Sequence, residues 1–471
     1  MHIHFIGICG TAMGNVALMM RAAGHTVTGS DENVYPPMSD LLAEAGVAII
    51  AGFAPENLRP APDLVVIGNR ISRGNPEAEE ALDRRLRYTS LPELLKEELI
   101  RGRTSIVLTG THGKTTTSAM TAWTLESAGR APSFMIGGAL GNFPAGWGYR
   151  PESPYVVLEG DEYDTAFFDK RSKFVHYLPS VLLINNIEFD HADIFNSLDE
   201  ILLAFRRLVG IVPRNGLIVA NGDDANVRAV TAAAFTPVVT VGLGEECDMR
   251  AANITYGEEA TTFDVVRGGG VEARLTLPLL GEFNVRNALG TAAIARGLGL
   301  TYDEIARGLA TFRNTRRRLE KIGEWEGVTL YDDFAHHPTA IDGTLRAIRL
   351  RHPQARLRAV FEPRSNTTRR NVFQRELAAC FAAADDVTLA QIDRLDALDP
   401  SERLDSDRLI ADIAAAGTTA RFLPDPAAIA DHLAATSRPG DVIVVMSNGG
   451  FGGIIGGLRR RLAGGEEGGA E

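Results

Sequence analysis

The stretch "SIVLTGTHGKTTT", residues 105–117, joins a short apolar strand to a glycine-rich loop that opens a helix. The loop is shorter than the usual phosphate-binding pattern G-x-x-x-x-G-K-[ST], because only two residues separate Gly110 from Gly113. Glycines suit such a loop, since its backbone N–H groups must point at phosphate oxygens without obstruction by side chains. The stretch predicts a nucleotide-phosphate site made of Gly110, Thr111, His112, Gly113, Lys114, Thr115 and Thr116.

Two side chains of this loop, and two residues further along, suggest a metal site. Lys114 supplies a positive charge for the outer phosphates, and the Thr115 hydroxyl occupies the position that ligates Mg²⁺. Glu159 ends the apolar run "YVVL", and His191 ends the stretch "SVLLINNIEFDH" at 180–191, which is predicted to be a strand. Because the carboxyl ends of parallel strands meet at one edge of a sheet, we expect Glu159 and His191 to face the same crevice as the loop. Other acidic residues share these two strand ends and are also candidate ligands, namely Asp161, Glu162, Asp164, Glu188, Asp190 and Asp193. In the alternative interpretation, these acidic stretches cap helices or face solvent.

A second glycine-rich turn lies at the start of the chain. Gly7, Gly10 and Gly14 follow the first strand and open a helix, and Asp31 ends the second strand, where a ribose-binding carboxylate would lie. This arrangement indicates a pyrophosphate resting on a helix N-terminus. The Gly7–Gly10 spacing is looser than the dinucleotide fingerprint, so the turn favours a pyrophosphate ligand without indicating NAD. A turn used only for packing is the alternative.

Strands and helices alternate along the chain, which predicts α/β domains with mostly parallel sheets. The length of 471 residues favours about three domains. The pattern restarts after a polar, basic link near Arg101, and the basic cluster at 313–318 marks a second junction. We therefore place the domains at residues 1–101, 102–312 and 313–471.

Two local features are also expected. Ser197 and Glu200 have the spacing of a capping box, which predicts a helix that starts at Ser197 and carries an apolar face including Phe205. The tail at 464–471 is rich in Gly and Glu, a composition typical of disorder.

The composition excludes several classes of protein. The chain is 45% hydrophobic and 23% charged, which is typical of a globular protein, and its net charge of −12 without a long basic block argues against nucleic acid as a partner. Three scattered cysteines indicate a reduced compartment. No apolar run reaches the ~18 residues of a membrane span, and the N-terminus lacks a basic signal-peptide region. We expect a cytoplasmic protein without membrane insertion, and the sequence leaves its oligomeric state open.

Five motifs occur in an order that resembles the Mur ligase family. They are GTHGKTT at 110–116, Glu159 at its strand end, "NNIEFDH" at 185–191, "GEFNVRNALGTAAIA" at 281–295 and "YDDFAHHP" at 331–338. Members of this family use ATP to join amino acids or peptides to UDP-N-acetylmuramic acid in cell-wall synthesis. The resemblance implies an N-terminal Rossmann-like UDP-binding domain, a central P-loop ATPase domain and a C-terminal Rossmann-like domain, with ATP and Mg²⁺ as cofactors.

The resemblance also implies roles for individual residues. The first turn and the segment "ISRGNPEA" would bind the UDP substrate through Gly7, Gly10, Thr11, Gly14, Asp31, Ser72 and Asn75. Beyond the loop, the nucleotide contacts would be Asn284 and Asn287 at the adenine, with Arg318 and Asp332 from the third domain. Mg²⁺ would be held by Thr115, Glu159 and His191. Catalysis would depend on Lys114, Arg318 and His336, the last at the reaction centre.

The implied chemistry explains why an ATP site is needed. A carboxylate is a poor acyl donor, because its oxygen is a poor leaving group. Transfer of the ATP γ-phosphoryl group to the muramic acid carboxylate gives an acyl phosphate, which a free amine attacks with release of phosphate. The protein contributes mainly positioning and charge neutralisation. The shortened loop is thus expected to be an ATP site for making an amide bond.

Two amine substrates are open within the family, namely L-alanine and the tripeptide L-alanyl-γ-D-glutamyl-meso-diaminopimelate of peptidoglycan recycling. The stretches at 159–179, 361–367 ("FEPRSNT") and 446–454 resemble the tripeptide-adding branch. Arg364 resembles the arginine with which the diaminopimelate-adding ligase binds its amino acid, and a guanidinium suits a carboxylate in bidentate fashion. The expected peptide-binding residues are Arg364, Ser365 and Asn366, with a surface or interdomain charge as the alternative for Arg364.

Two positions depart from known patterns of the family. Phe334 stands where the alanine-adding branch usually has tyrosine. Phe205 stands where some members have a carbamoylated lysine that bridges two Mg²⁺ ions, so we expect no such lysine here. The ligands of a second metal remain open.

Three other classes explain less of the sequence. A nicotinamide oxidoreductase would use the first glycine-rich turn but leaves Lys114, Glu159 and His191 unexplained. A nucleotide-sugar binding protein would have no need of the central loop, and a folylpolyglutamate synthase would have no need of a UDP-type first domain.

Overall fold

The computed structural model describes residues 1–464, so the tail expected to be disordered lies, beyond Gly464, outside the described residues. Residues 1–464 form three α/β domains, each built on its own mostly parallel sheet. Within this span, no helix combines the length and the apolar character that a membrane crossing requires.

The first domain is a five-stranded parallel sheet with helices. Its strands are β1 (His2–Ile6), β2 (Thr26–Asp31), β3 (Ala48–Ala51), β4 (Leu64–Ile67) and β5 (Tyr88–Ser90), and its helices are α1 (Thr11–Ala22), α2 (Met38–Glu44), α3 (Pro76–Asp83) and α4 (Leu91–Leu95). The strand order is β3-β2-β1-β4-β5. Strand β4 is apolar and fully buried, as expected for a parallel strand covered on both faces.

The central domain contains a ten-stranded sheet. The strands of the whole domain are β6 (Thr104–Thr109), β7 (Ser133–Met135), β8 (Trp147–Gly148), β9 (Tyr155–Gly160), β10 (Asp164–Ala166), β11 (Asp169–Ser172), β12 (Val181–Ile184), β13 (Leu217–Asn221), β14 (Val238–Gly242), β15 (Met249–Tyr256), β16 (Thr261–Arg267) and β17 (Gly270–Leu277), and all but β10 and β11 belong to this sheet. The order is β17-β16-β15-β14-β13-β12-β6-β9-β7-β8, and β10 and β11 form a separate hairpin. The inner strands are parallel, whereas β8, β16 and β17 are antiparallel to their neighbours.

Five helices accompany this sheet, namely α5 (Lys114–Ser127), α6 (Leu198–Val209), α7 (Ala225–Thr231), α8 (Glu282–Gly297) and α9 (Tyr302–Ala310). Helix α5 starts directly after the glycine-rich loop and packs against α8 and α9. The loop is therefore held between the end of β6 and a helix with buried neighbours.

The third domain has six strands and five helices. The strands are β18 (Glu320–Trp325), β19 (Val328–Asp333), β20 (Leu357–Phe361), β21 (Asp386–Leu389), β22 (Thr419–Phe422) and β23 (Val442–Met446), and the helices are α10 (Pro338–Arg351), α11 (Gln374–Ala379), α12 (Ser406–Ala415), α13 (Pro426–Thr436) and α14 (Ile454–Leu462). The order is β18-β19-β23-β20-β21-β22, with only β18 antiparallel. Apolar clusters cover both faces of the sheet.

The strand order of the central sheet positions the site. Strand β6 lies between β12 and β9, and all three are parallel. Their carboxyl ends therefore bring together the glycine-rich loop, Glu159 and the segment that contains His191.

Two sequence expectations about the central domain need correction. Helix α6 has Ser197 as its N-cap, but the Ser197 side chain makes no capping hydrogen bond, and Glu200 instead accepts from the backbone N–H of Asn196 at 2.8 Å. The predicted capping box is therefore wrong, although the apolar helix face is buried. The apolar stretch at 180–191 forms a strand only at Val181–Ile184, because the polar residues that follow turn into the site.

Candidate active site

The glycine-rich loop is shaped by two residues in the left-handed region. Gly110 has φ +132° and Gly113 has φ +82°, and a Cβ at Gly110 would lie 2.9 Å from the backbone N and O of Asn186. A Cβ at Gly113 would lie 2.8 Å from Asn287 Oδ1. Backbone conformation and space therefore both require glycine at these positions.

Lys114 lies half-buried at the start of α5, with its side chain 14% exposed. Its Nζ donates to Gly110 O at 2.7 Å and to both oxygens of Glu162, at 3.0 and 2.9 Å. Burial by itself would lower the pKa of Lys114, but the carboxylates of Glu162 and Asp161 outweigh it and raise the pKa. The lysine is thus a fixed positive charge beside the loop, as a phosphate site requires.

Thr115 and Glu159 form the pair that suits a divalent cation. The Thr115 hydroxyl donates to Glu159 Oε1 at 2.7 Å, and the Gly137 N–H donates to Glu159 Oε2 at 2.7 Å. A hydroxyl and a carboxylate oxygen are hard ligands of the kind that Mg²⁺ prefers. The donor set fits Mg²⁺, with Thr115 and Glu159 as the residues that would hold it.

His191 contacts Glu162, the same carboxylate that accepts from Lys114. Its Nε2 is 2.9 Å from Glu162 Oε1, and its backbone has φ +57°, an uncommon conformation for a non-glycine residue. Burial opposes protonation, but Glu162 raises the pKa of His191. In this arrangement the imidazole is paired with Glu162, and it lines the same cavity as Thr115 and Glu159.

Asn284 and Asn287 lie on α8 directly behind the loop. Asn284 Nδ2 donates to Leu280 O at 2.7 Å, and Asn287 Nδ2 is 3.3 Å from Asn284 Oδ1. Both side chains are buried, and both line the cavity. Their contact with adenine remains a prediction.

The third domain contributes Arg318 to the loop. Its Nη2 lies 3.5 Å from the Thr115 hydroxyl, and its guanidinium carbon lies 4.7 Å from the centroid of the Phe334 ring. The Arg317 guanidinium lies over the same ring at 5.4 Å. Phe334 therefore supports two arginines by cation–π contacts, a role that needs no tyrosine hydroxyl.

Asp332 is the penultimate residue of β19 and pairs with Arg317. Burial raises its pKa to about 6, although Arg317 lies 3.3 Å away and opposes the shift. The neighbouring carboxylates of Asp333 and Glu320 add to the increase. At neutral pH the protein thus holds an aspartate whose ionisation costs stability.

We expect Asp332→Asn to stabilise the protein at high pH. Because the folded-state pKa of Asp332 exceeds the unfolded value of about 3.9, stability falls as pH rises from about 4 through 6. The amide mimics the protonated form and removes a cost of up to about 3 kcal/mol above pH 6. Thermal unfolding midpoints of variant and parent should agree near pH 4 and differ at pH 8. Asp407→Asn, at an exposed aspartate of the same domain, serves as control, and an equal shift at both pH values would contradict the argument.

His336 follows β19 and faces Asp190, which lies in the segment after β12. Its Nδ1 is 2.9 Å from Phe334 O, so Nδ1 carries the proton and Nε2 has a free lone pair. Nε2 lies 3.8 Å from Asp190 Oδ2, and Asp190 Oδ1 accepts from the Thr367 hydroxyl at 2.7 Å. Burial lowers the pKa of His336, which keeps the imidazole neutral. A neutral imidazole in this position can accept a proton.

The first glycine-rich turn is organised by Asp31. Its Oδ2 accepts from the Cys9 N–H and its Oδ1 from the Asn33 N–H, both at 2.9 Å. Gly7 has φ +86°, Gly10 is exposed at the N-cap of α1, and the first residue of that helix is Thr11. Gly14 is buried, and a Cβ there would lie 2.2 Å from Met38 Sδ, so packing explains this glycine.

The segment after β4 contains the other two expected substrate contacts. Ser72 is exposed, and Asn75 is the N-cap of α3, where its Oδ1 accepts from the N–H groups of Glu77 and Ala78 at 3.1 Å. Their role in binding UDP, like that of the first turn, remains a prediction.

The expected peptide-binding residues form a turn after β20. Arg364 Nη1 lies 3.6 Å from Glu362 Oε1 and 3.9 Å from Asp393 Oδ1, which leaves its N–H donors loosely engaged. The side chain rests on Gly449, where a Cβ would lie 2.1 Å from Arg364 Nε. Ser365 Oγ bonds Thr368 Oγ1 at 2.8 Å and Asn366 Oδ1 accepts from Arg369 at 2.6 Å, so these two side chains stabilise the turn.

A cavity of about 1730 Å³ unites most of the expected site. Its lining includes Thr111, His112, Gly113, Lys114, Thr115, Thr116, Glu159, His191, Asn284, Asn287, Arg318, Asp332 and His336. Within the described residues, the UDP-substrate set, the peptide-binding set and Gly110 do not belong to this lining. The structure thus brings the expected nucleotide, metal and catalytic residues together in one cavity, apart from Gly110. The expected UDP-binding and peptide-binding residues lie outside this cavity.

Sequence reasoning assigned no specific role to Glu162, which bonds both Lys114 and His191. The residue was visible only as one of several acids after β9. A signal was available, however, because a half-buried lysine next to a phosphate loop is stabilised by a nearby carboxylate. Sequence reasoning likewise assigned no specific role to Glu188, whose Oε2 lies 2.9 Å from His112 Nε2.

Comparisons with known proteins identify the family. Residues 2–103 match the model described as "Mur ligase family, catalytic domain", residues 108–295 match "Mur ligase middle domain", and residues 317–449 match "Mur ligase, glutamate ligase domain". Together these matches account for most of the chain.

Individual relatives agree with these matches. The chain is 45% identical to the UDP-N-acetylmuramate–L-alanyl-gamma-D-glutamyl-meso-2,6-diaminoheptandioate ligase of Escherichia coli (strain K12), over 96% of each chain. It is 33% identical to the UDP-N-acetylmuramate–L-alanine ligase of Desulfitobacterium hafniense (strain Y51), over 95% of this chain and 97% of that protein.

Solved structures include a murein peptide ligase from Psychrobacter arcticus 273-4. It is 37% identical, with a TM-score of 0.71, and the match covers 98% of this chain and 99% of that one. The three α/β domains, the shortened phosphate loop and these matches lead to one conclusion: the chain belongs to the Mur ligase family.

Proposed function

We propose that this protein is an ATP-dependent amide ligase that joins L-alanyl-γ-D-glutamyl-meso-diaminopimelate to the carboxylate of UDP-N-acetylmuramic acid. The observation that carries the proposal is the 45% identity, over 96% of the chain, to a ligase whose name gives this reaction. The cavity where the phosphate loop meets Arg318 and His336 supports it, because phosphoryl transfer needs positive charge at the phosphates and a group that accepts the proton of the amine.

The loop and two positively charged side chains, Lys114 and Arg318, would position the phosphates. The backbone of 110–116 would surround the ATP phosphates, Lys114 would neutralise the transferred group, and Arg318 would approach from the third domain. Lys114 must exchange Glu162 for phosphate oxygens, and its contact with Gly110 O keeps it at the loop. Mg²⁺ held by Thr115 and Glu159, with His191 nearby, would supply further charge neutralisation at the phosphates.

His336 would remove the proton from the attacking amine. An amine attacks an acyl phosphate as the free base, and the nitrogen loses a proton as the amide forms. The Nε2 lone pair of His336 is available because Nδ1 donates to Phe334 O. Asp190, 3.8 Å from Nε2, would stabilise the imidazolium that results.

Phosphate release tests the proposal. The protein is incubated with ATP, Mg²⁺ and UDP-N-acetylmuramic acid, and either the tripeptide or L-alanine is added. Turnover with the tripeptide alone is the expected result. Turnover with L-alanine alone would make this the alanine-adding enzyme. Turnover with neither amine substrate would contradict the proposed reaction.

We expect Glu159→Gln to weaken the response to Mg²⁺. The amide can still accept from Gly137 and donate to Thr115, so the fold around it is kept, but the anionic ligand is lost. The Mg²⁺ concentration for half-maximal turnover should rise about tenfold or more, by analogy with the loss of a group that supports a metal. Asp164→Asn, at a carboxylate paired with exposed Lys170, is the matched control. An unchanged Mg²⁺ dependence would exclude Glu159 as a ligand.

A further inference from the structure

Three side chains converge between the phosphate loop and the third domain. His112 Nε2 lies 2.9 Å from Glu188 Oε2, and His337 Nδ1 lies 3.4 Å from the same oxygen. The two imidazole rings are 4.6 Å apart between centroids. Among the described residues, these three form the one group of His, Cys, Asp or Glu side chains whose ligand atoms all lie within 4.8 Å of one another.

Hydrogen bonds determine which atoms of this cluster carry lone pairs. His337 Nε2 is 3.2 Å from Phe189 O, so Nε2 carries the proton and Nδ1 is unprotonated. The Nδ1 lone pair then faces Glu188 Oε2, which is also an acceptor. A long contact of 3.3 Å from the Thr339 N–H is the other partner of Nδ1. Two acceptors that face each other at 3.4 Å are stabilised by a cation between them.

The distances suit a tetrahedral ion. Ligand bonds of about 2.0–2.2 Å place neighbouring ligand atoms of a tetrahedron about 3.4 Å apart. The contacts of 2.9 and 3.4 Å lie close to that spacing. Small side-chain movements therefore suffice to accommodate the ion, with solvent as the fourth ligand, since Glu188 is one-third exposed.

Further hydrogen bonds hold two of the three ligands, His337 and Glu188, in place. The backbone carbonyl of Phe189 fixes the His337 ring, and the Thr339 hydroxyl donates to Glu188 Oε1 at 3.0 Å. The Glu188 N–H donates to the Thr111 hydroxyl at 2.8 Å. Such outer hydrogen bonds are typical of metal ligands, because they fix the tautomer and the orientation of the ring.

We propose that His112, Glu188 and His337 bind one divalent cation of the Zn²⁺ class, separate from the Mg²⁺ position at Thr115 and Glu159. Two imidazoles and one carboxylate favour Zn²⁺ or Co²⁺ over Mg²⁺, which prefers oxygen ligands throughout. His112 belongs to the phosphate loop and His337 is the N-cap of α10, so the bound ion joins the central domain to the third.

The test measures metal binding alone, with untagged protein and no nucleotide. Co²⁺ is added as a spectroscopic probe, because a tetrahedral site gives visible absorption, and Zn²⁺ is then used to displace it. One equivalent should bind to the parent protein. In Glu188→Gln and in His337→Gln, the dissociation constant should rise at least about tenfold. His25→Gln removes a histidine that pairs with Glu98 at 3.4 Å in the first domain, and it should bind like the parent.

The variants can be judged separately for folding. Glu188→Gln keeps an oxygen that accepts from Thr339, so without metal it should have the same melting temperature as the parent protein. If His337→Gln fails to fold, the affinity of Glu188→Gln for Co²⁺ alone tests the proposal. Mg²⁺ in excess should not displace Zn²⁺. Absence of a tetrahedral Co²⁺ signal in the parent protein would overturn the proposal, as would equal affinity in the parent and in Glu188→Gln.

Discussion

Replacement of Lys114 by methionine is expected to reduce kcat by a factor of about one hundred or more, by analogy with the loss of one well-placed charge-stabilising donor. Methionine keeps much of the length of the side chain and removes only the charge. Lys114 is already beside the loop, where its Nζ donates to Gly110 O. The loss should therefore appear in the rate of phosphate release at saturating substrates.

The loss of kcat in Lys114→Met must be distinguished from a loss of folding stability. Removal of Lys114 leaves the buried carboxylate of Glu162 with only His191 as a partner, and an uncompensated buried charge is costly. The double variant Lys114→Met with Glu162→Gln removes that charge as well. It should regain thermal stability without regaining turnover.

A lysine elsewhere gives the matched comparison. Lys170 pairs with Asp164 on the β10–β11 hairpin and is largely exposed, so Lys170→Met should behave like the parent protein. If Lys114→Met retained most of its kcat, the loop would not bind the transferred phosphate in the way proposed.

Arg364→Lys is expected to lower kcat/KM for the tripeptide by about 10- to 100-fold, which corresponds to the ~1.5–3 kcal/mol of hydrogen bonds to a charged group. Lysine keeps the positive charge but loses the planar fork that binds a carboxylate through two N–H groups. The structure leaves this fork loosely engaged, at 3.6 Å from Glu362 and 3.9 Å from Asp393. A substrate carboxylate can therefore replace these contacts.

The neighbouring Arg394→Lys is the control, because Arg394 is exposed and lies 3.7 Å from the same Asp393. KM for ATP should stay unchanged in both variants. A fall in activity that is equal for both arginines, or that appears as a higher KM for ATP, would assign Arg364 to the structure of the domain instead of to the peptide.

The sequence predicted well those features that one segment of chain determines by itself. The loop at 110–116 follows a strand and opens a helix, and its glycines are required by backbone conformation at Gly110 and Gly113. The alternation of strands and helices predicted α/β domains for the same reason, since periodicity is local, whereas the number of domains was predicted from the length and the two junctions.

Features that depend on distant contacts were harder to predict. Glu162 acquires its role only because β9 lies beside β6, which places it next to Lys114. Ser197 has the right spacing for a capping box, yet Glu200 bonds to Asn196 instead, because the preceding turn presents that N–H group. Asp31 could be seen as a ligand-binding carboxylate, but only the structure shows that one of its oxygens already accepts from the glycine-rich turn, at the Cys9 N–H, and the other from the N–H of Asn33.

The segment at 188–192 contacts the phosphate loop and the third domain at once. Glu188 bonds Thr111 and His112 on one side, while Phe189 and Asp190 accept from His337 and Thr367 on the other. A ligand that shifts this segment changes both sets of contacts. The proposed nucleotide site at the loop and the proposed peptide site in the third domain would therefore share a coupling free energy. Such coupling is reciprocal. Whatever factor nucleotide applies to the affinity for the peptide, the peptide must apply to the affinity for nucleotide.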